Sequence, residues 1–128
     1  MINKIGQLFF IGIEGTQLSQ DESEFIIKNN IGGVSLFKRN VETPQQVHQL
    51  CQQIQSLRHK MPDKAPLFIG IDQEGGRISR LSQPFTSFPP ARALGDLDSS
   101  SLTFKSAMCL GSELHSIGVN LDYAPCID

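Results

Sequence analysis

An α/β fold built on a parallel sheet is predicted by two observations. The first is a set of apolar runs without polar alternation, clearest in Leu67-Phe68-Ile69-Gly70-Ile71. Such a run predicts a strand covered on both faces, as strands of parallel sheets are. The second is order. Strand-like runs alternate with capped, helix-periodic segments as β-α-β-α-β-loop-α-β, about four strands and three main helices. This alternation implies right-handed crossovers between parallel strands.

Leu8 to Ile13 supplies the first strand, and Glu14-Gly15-Thr16 the turn after it. Ser19 is placed as a helix N-cap, with Glu22 three residues later completing a capping box. Phe25, Ile26 and Ile27 form the apolar side of that helix, and Lys28-Asn29-Asn30 ends it. Ile31 to Phe37 is the second strand, with the polar cluster Lys38-Arg39-Asn40 at its C-terminal end. Thr43 caps the next helix, Pro44 fits its first turn, and Gln46 completes a second capping box. Val47, Leu50, Cys51, Ile54 and Leu57 then lie on one helical stripe. His48 and His59 fall off that stripe and read as solvated.

After the third strand, Leu67 to Ile71, the segment from Asp72 to Arg92 is long for a strand-to-helix loop. Long loops in compact domains are often functional. Phe88-Pro89-Pro90 is a rigid turn where a cis peptide is admissible. Ser99 to Ser101 offer N-caps for a helix whose inner residues are expected to be Phe104, Ala107, Met108, Leu110, Leu114 and Ile117. Gly118 fits its C-terminal cap. Val119 to Pro125 is the fourth strand, with Asn120 and Asp122 alternating with apolar neighbours.

Composition narrows the function classes. With 128 residues there is one modest domain. A net charge of −2 and no basic stretch argue against nucleic acid. The N-terminal apolar run is too short for a membrane span and lacks a signal-peptide cleavage site, so neither a membrane nor a secretory role is expected. Three cysteines (Cys51, Cys109 and Cys126) are odd in number, dispersed and without a Cys-x-x-Cys, which suits a reducing, cytoplasmic compartment. His48, His59 and His115 show no ligand spacing, so no metal and no cofactor are expected.

The candidate site is Asp72 to Arg80. Ligands of parallel α/β folds sit at the C-terminal ends of strands. There a carboxylate is followed by Glu74, the pair Gly75-Gly76, Arg77 and Arg80. An aspartate accepting hydroxyl hydrogen bonds and an arginine donating several suit a polyhydroxylated ligand. Lys38-Arg39-Asn40, Asn120, Asp122 and Asp128 are expected to converge on the same end. Structural alternatives stand beside this: an ion pair from Asp72 to Arg77 or Arg80 that only closes the loop, Gly75-Gly76 as a tight turn, and Asn120 and Asp122 as satisfied interior residues. Asp72 and Glu74 are candidates for a glycosidase carboxylate pair. Their i, i+2 placement gives no reason for acid and base pKa values to separate. The residues therefore support binding better than catalysis.

Four segments in order resemble glycoside hydrolase family 3: Ile31 to Asn40, Gly70 to Arg80, Phe88 to Gly95 and Gly118 to Pro125. The most similar branch is that of bacterial β-N-acetylhexosaminidases that recycle peptidoglycan fragments. The resemblance implies a (β/α)8 TIM barrel, and a retaining release of terminal β-linked N-acetylglucosamine from muropeptides. It implies that Asp72 and Arg80 bind substrate, and that Glu74, Arg77 and Asp128 support the loops. It also implies that the family's lysine-histidine segment, acid/base loop and nucleophilic aspartate lie later in the barrel than Asp128, so no catalytic residue is expected within these residues. A TIM barrel needs eight strands and about 250 residues. The expected fold is thus a partial barrel, an N-terminal half truncated before closure, whose open sheet edges favour self-association. A non-catalytic sugar-binding or assembly half-barrel, and a β-glucosidase within the same family, are the alternatives.

Overall fold

The structure, a computed structural model, describes residues 4–126. In chain order its elements are β1 (Phe10–Gly12), α1 (Gln20–Asn29), β2 (Gly33–Leu36), α2 (Pro44–Ser56), β3 (Phe68–Ile71), β4 (Gln73–Gly75), β5 (Ile78–Ser79), α3 (Ala91–Asp96), α4 (Ser100–Ser116) and β6 (Leu121–Asp122). β1, β2, β3 and β6 form one parallel sheet in that order. β4 and β5 form a separate antiparallel hairpin inside the segment expected to be loop. The sheet does not close: β1 and β6 are its edges. The first strand is shorter than expected because Gly6–Leu8 coils into a 3-10 turn before it.

The helix ends follow local chemistry. Ser19 Oγ accepts the Glu22 N–H at 3.2 Å, and the Glu22 carboxylate accepts the Ser19 N–H at 2.8 Å, so the capping box is complete. Thr43 Oγ1 accepts the Gln46 N–H at 3.1 Å, with Pro44 in the first turn. The second box does not close as expected. Gln46 Oε1 accepts the Glu42 N–H, and its amide donates to the Thr16 and Asn40 carbonyls. Its reach is redirected because the loop before the helix brings those carbonyls close. Gly118, at a φ of +88°, ends α4, and the Val119 N–H turns back to the Leu114 carbonyl.

One face of the sheet is covered. Val34, Leu36, Ile69 and Ile71 lie side by side in register and are buried against Ile26, Val47, Leu50 and Ile54, with Leu114 and Ile117 in the same core. Of the residues assigned inward on α1, Ile26 is buried and Phe25 is exposed.

The other face is open, which corrects the expectation that the third strand is covered on both sides. Ile69 is fully buried but Phe68 is 54% exposed. Phe68 stacks on Phe10 with centroids 5.9 Å apart, and Tyr123 meets Phe10 edge-on at 6.3 Å. Gly33 and Gly70 leave room for these rings, since a Cβ on either would collide with Phe10 or Tyr123. The apolar run was legible, but an unclosed sheet leaves one side of it uncovered. α4 departs for the same reason. Leu114 is buried and Leu110 partly so, whereas Phe104 and Met108 are 67% and 56% exposed and Ala107 is exposed. The helix meets the core only through its C-terminal turns.

Among the described residues no helix is long and apolar enough to cross a membrane. Burial pushes the Cys51 thiol up to about 12, so it carries no thiolate at neutral pH. His48, His59 and His115 are exposed.

Candidate functional site

Ile71 is the last residue of β3, so Asp72 emerges at the C-terminal end of a central strand. The chain then folds straight into the β4–β5 hairpin, pairing Gln73 with Ser79 and Gly75 with Ile78. The turn takes Gly75 to a φ of +90° and Gly76 to +58°, where a Cβ is strained. The Gly76 N–H donates to the Phe88 carbonyl at 2.9 Å. A Cβ on Gly75 would run into the Pro89 carbonyl oxygen. The glycine pair therefore serves a tight turn packed on the chain's own Phe88-Pro89 backbone, the structural alternative for that pair.

The hairpin returns Arg80 to Asp72. Arg80 Nη2 donates to Asp72 Oδ2 at 2.9 Å, and the two side chains are 27% and 31% exposed. Arg80 Nε is buried without an acceptor among the described residues. Both side chains are partly open to solvent, so each keeps hydrogen-bonding capacity beyond the ion pair. Arg77, the other candidate partner, is exposed and makes no ion pair among the described residues. Glu74 is half-buried and faces an open, largely apolar groove of about 450 Å³, lined also by Phe88, Leu110, Asp122 and Pro125. Asp72 and Arg80 do not line that groove. Asp128 lies outside the described residues.

The expected convergence of polar groups is partial. Asn40 is buried and donates to the Ile13 and Gly15 carbonyls while accepting the Phe37 N–H. Arg39 donates to the Ile13 carbonyl, with its guanidinium 4.7 Å over the Phe37 ring. Both groups tie down the loop after β1. Asn120 corrects the expectation outright. Its amide accepts the Ile69 N–H at 2.7 Å and donates to the Leu67 carbonyl at 3.0 Å, bridging the start of β3, not its end. The backbone reason is that Asn120 pairs beside Ile69, two residues before the strand finishes.

Asp122 does reach the site. Its Oδ1 accepts the Gln73 N–H at 3.0 Å. Burial pushes its carboxyl up from the ordinary value, with the Asp72 and Glu74 charges adding to the rise against the hydrogen bonds that oppose it. A folded-state pKa above the unfolded one means the ionised group costs stability at neutral pH, and the cost vanishes below the ordinary aspartate range. Asp122→Asn keeps an acceptor oxygen for Gln73 and removes the charge. It is expected to raise the melting temperature at neutral pH, with the gain fading in acid. Equal or lower melting at neutral pH would contradict this.

Gln73 received no role from sequence. It is 1% exposed. Its Oε1 accepts the N–H groups of Arg80 at 2.8 Å and Leu81 at 3.1 Å, and its amide donates to Ser79 Oγ at 2.8 Å. A polar side chain flanked by two carboxylates in a Gly-Gly loop is the signal that was present, but its burial depends on the unforeseen hairpin.

The glycosyl hydrolase family 3 N terminal domain matches residues 1–128. A beta-hexosaminidase of Thiobacillus denitrificans is 36% identical over 124 residues, covering 92% of this chain and 33% of that protein. A beta-hexosaminidase of Pseudomonas aeruginosa is 34% identical over 119 residues, covering 92% and 34%. Among solved structures, a family 3 beta-N-acetylglucosaminidase from Paenibacillus superposes with a TM-score of 0.91 at 36% identity, over 98% of this chain and 24% of that one. NagZ from Neisseria gonorrhoeae, solved also with N-trifluoroacetyl-D-glucosamine, superposes at 0.79 and 29% identity, over 91% and 34%. The chain spans about a third of the length of the curated relatives it matches.

Proposed function

The chain belongs to glycoside hydrolase family 3, and on that premise we propose that it supplies the sugar-holding part of a β-N-acetylhexosaminidase. The substrate is a terminal β-linked N-acetylglucosamine of a peptidoglycan fragment, and the compartment is the cytoplasm. The observation that carries the proposal is the Asp72–Arg80 pair at the end of β3, 2.9 Å apart with both side chains partly open to solvent. The carboxylate accepts from sugar hydroxyls and the guanidinium donates to sugar oxygens, which is the donor and acceptor set a pyranose needs. Glu74, Arg77 and Asp128 act as supports of the loops. The odd, dispersed cysteines support a reducing compartment.

Holding a sugar does not hydrolyse it. Groups that bind substrate and transition state equally leave the chemical step unaccelerated. The 128-residue polypeptide is therefore expected to bind N-acetylglucosamine saturably, and to leave a chromogenic β-N-acetylglucosaminide intact. An NMR titration and an absorbance assay on the same sample test both halves. Absence of binding would sink the sugar site, and turnover would sink the division of labour.

The polypeptide by itself is also expected to associate. Two sheet edges offer unpaired backbone groups, and Phe10, Phe68 and Tyr123 lie 39%, 54% and 41% exposed on the open face. Sedimentation velocity should give a concentration-dependent rise in mass. A monodisperse monomer across the range would argue against it.

A further inference from the structure

Asp72 and Arg80 flank the β4–β5 hairpin, whose ladder pairs Gln73 with Ser79 and whose glycine turn is packed on the Phe88-Pro89 backbone. The ladder stops at Ser79, so the 2.9 Å approach of Arg80 to Asp72 needs a further constraint. The ion pair cannot supply it alone, because pairs this exposed contribute little and are screened by solvent. Gln73 is the residue bonded to both ends. Its own backbone follows Asp72 and is pinned by the Asp122 carboxylate. Its side chain, buried in the hairpin, accepts the consecutive N–H groups of Arg80 and Leu81, and its amide is oriented by Ser79 Oγ. Ser79 in turn donates to the Leu81 carbonyl. Leu81 is buried, which anchors the far side. Both polar atoms of the Gln73 side chain are thus hydrogen-bonded within the loop.

We propose that Gln73 is a positioning residue that sets the spacing of Asp72 and Arg80 for the sugar, through its fourfold bonding to Asp122, Ser79, Arg80 and Leu81. The proposal rests on the sugar-site reading for its purpose, but not for its geometry. A side chain of equal length without an acceptor leaves the buried Leu81 N–H and the part-buried Arg80 N–H unsatisfied, and the Arg80 backbone then has reason to move. Glutamate, kept protonated by burial beside Asp72, Glu74 and Asp122, retains the acceptor oxygen and donates its O–H to Ser79 in place of the amide. Small displacements of binding groups cost much of their effect, since productive geometry tolerates only about 0.5 Å.

The test compares Gln73→Met and Gln73→Glu in the full 128-residue chain, with N-acetylglucosamine as the probe. Two readouts are taken: the dissociation constant, and the rotation rate of the Arg80 guanidinium by ¹⁵N NMR, which reports the ion pair without sugar. Gln73→Met is expected to weaken binding roughly tenfold or more and to free the guanidinium. Gln73→Glu is expected to restore slow rotation and most of the affinity. Where Gln73→Met does not fold, Ser79→Ala, which removes the partner of the amide together with the Ser79 bond to the Leu81 carbonyl, is expected to loosen Arg80 and weaken binding in the same direction. An Arg80 guanidinium as restricted in Gln73→Met, or in Ser79→Ala, as in the unsubstituted chain overturns the proposal. So does equal loss in the methionine and glutamate variants, which marks general destabilisation. If the unsubstituted chain does not bind the sugar, the sugar-site reading falls, and the guanidinium signal still decides whether Gln73 sets the pair.

Discussion

Asp72→Ala is expected to remove measurable N-acetylglucosamine binding while leaving the melting temperature nearly unchanged. The asymmetry follows from exposure. The Asp72 and Arg80 side chains are 31% and 27% exposed, so solvent screens their mutual attraction, and breaking it costs the fold about 1 kcal/mol or less. A hydrogen bond from a ligand hydroxyl to a carboxylate is worth about 1.5–3 kcal/mol. Two such bonds amount to roughly a hundredfold or more in affinity at about 1.4 kcal/mol per tenfold. A monosaccharide makes few contacts, so a loss of that size takes binding out of range of a titration. Asp72→Asn keeps the shape and one acceptor and should fall between. The opposite pattern, a clear drop in melting temperature with affinity intact, would mean that the pair only closes the loop.

Gly75→Val is expected to destabilise the chain by about 2–5 kcal/mol. Gly75 sits at a φ of +90°, and its missing side chain is where the Pro89 carbonyl oxygen passes. Left-handed backbone costs an ordinary residue about 1–2 kcal/mol, and more for a branched one. Forcing the Phe88-Pro89 segment away adds an overpacking cost of about 1–3 kcal/mol. It also strains the hydrogen bond from the Gly76 N–H to the Phe88 carbonyl. Against a typical domain stability of about 5–15 kcal/mol this is a large fraction. Chemical denaturation would read it as a shift of the midpoint. A change below about 0.5 kcal/mol, the level of a bland surface substitution, would mean that the Phe88-Pro89 segment yields freely. The site loop would then be loosely packed against that segment.

Much of the framework is legible in the sequence. Ser19 and Glu22, Thr43 and Pro44, and Gly118 mark helix ends through hydrogen bonds that reach only a few residues, so local sequence is sufficient to place them. The stripe of Val47, Leu50, Cys51 and Ile54 was legible because a helix repeats faster than a core can disguise. Phe104 and Met108 are exposed against expectation because apolar character marks what can be buried, whereas burial needs a neighbour. The second capping box failed because Gln46 had better-placed partners at Thr16 and Asn40, the first of them 30 residues away.

The sequence by itself determined the parallel α/β order and the helix caps, because each depends on spacing within about one turn or one strand. Tertiary structure alone decided that the long loop is a hairpin, that Arg80 and not Arg77 meets Asp72, that Asn120 braces the start of β3, and that Gln73 is buried beneath the pair. Those outcomes depend on which backbone groups arrive side by side once β3, the hairpin and β6 pack together. Such long-range satisfaction of buried donors and acceptors has no period in the chain to reveal it.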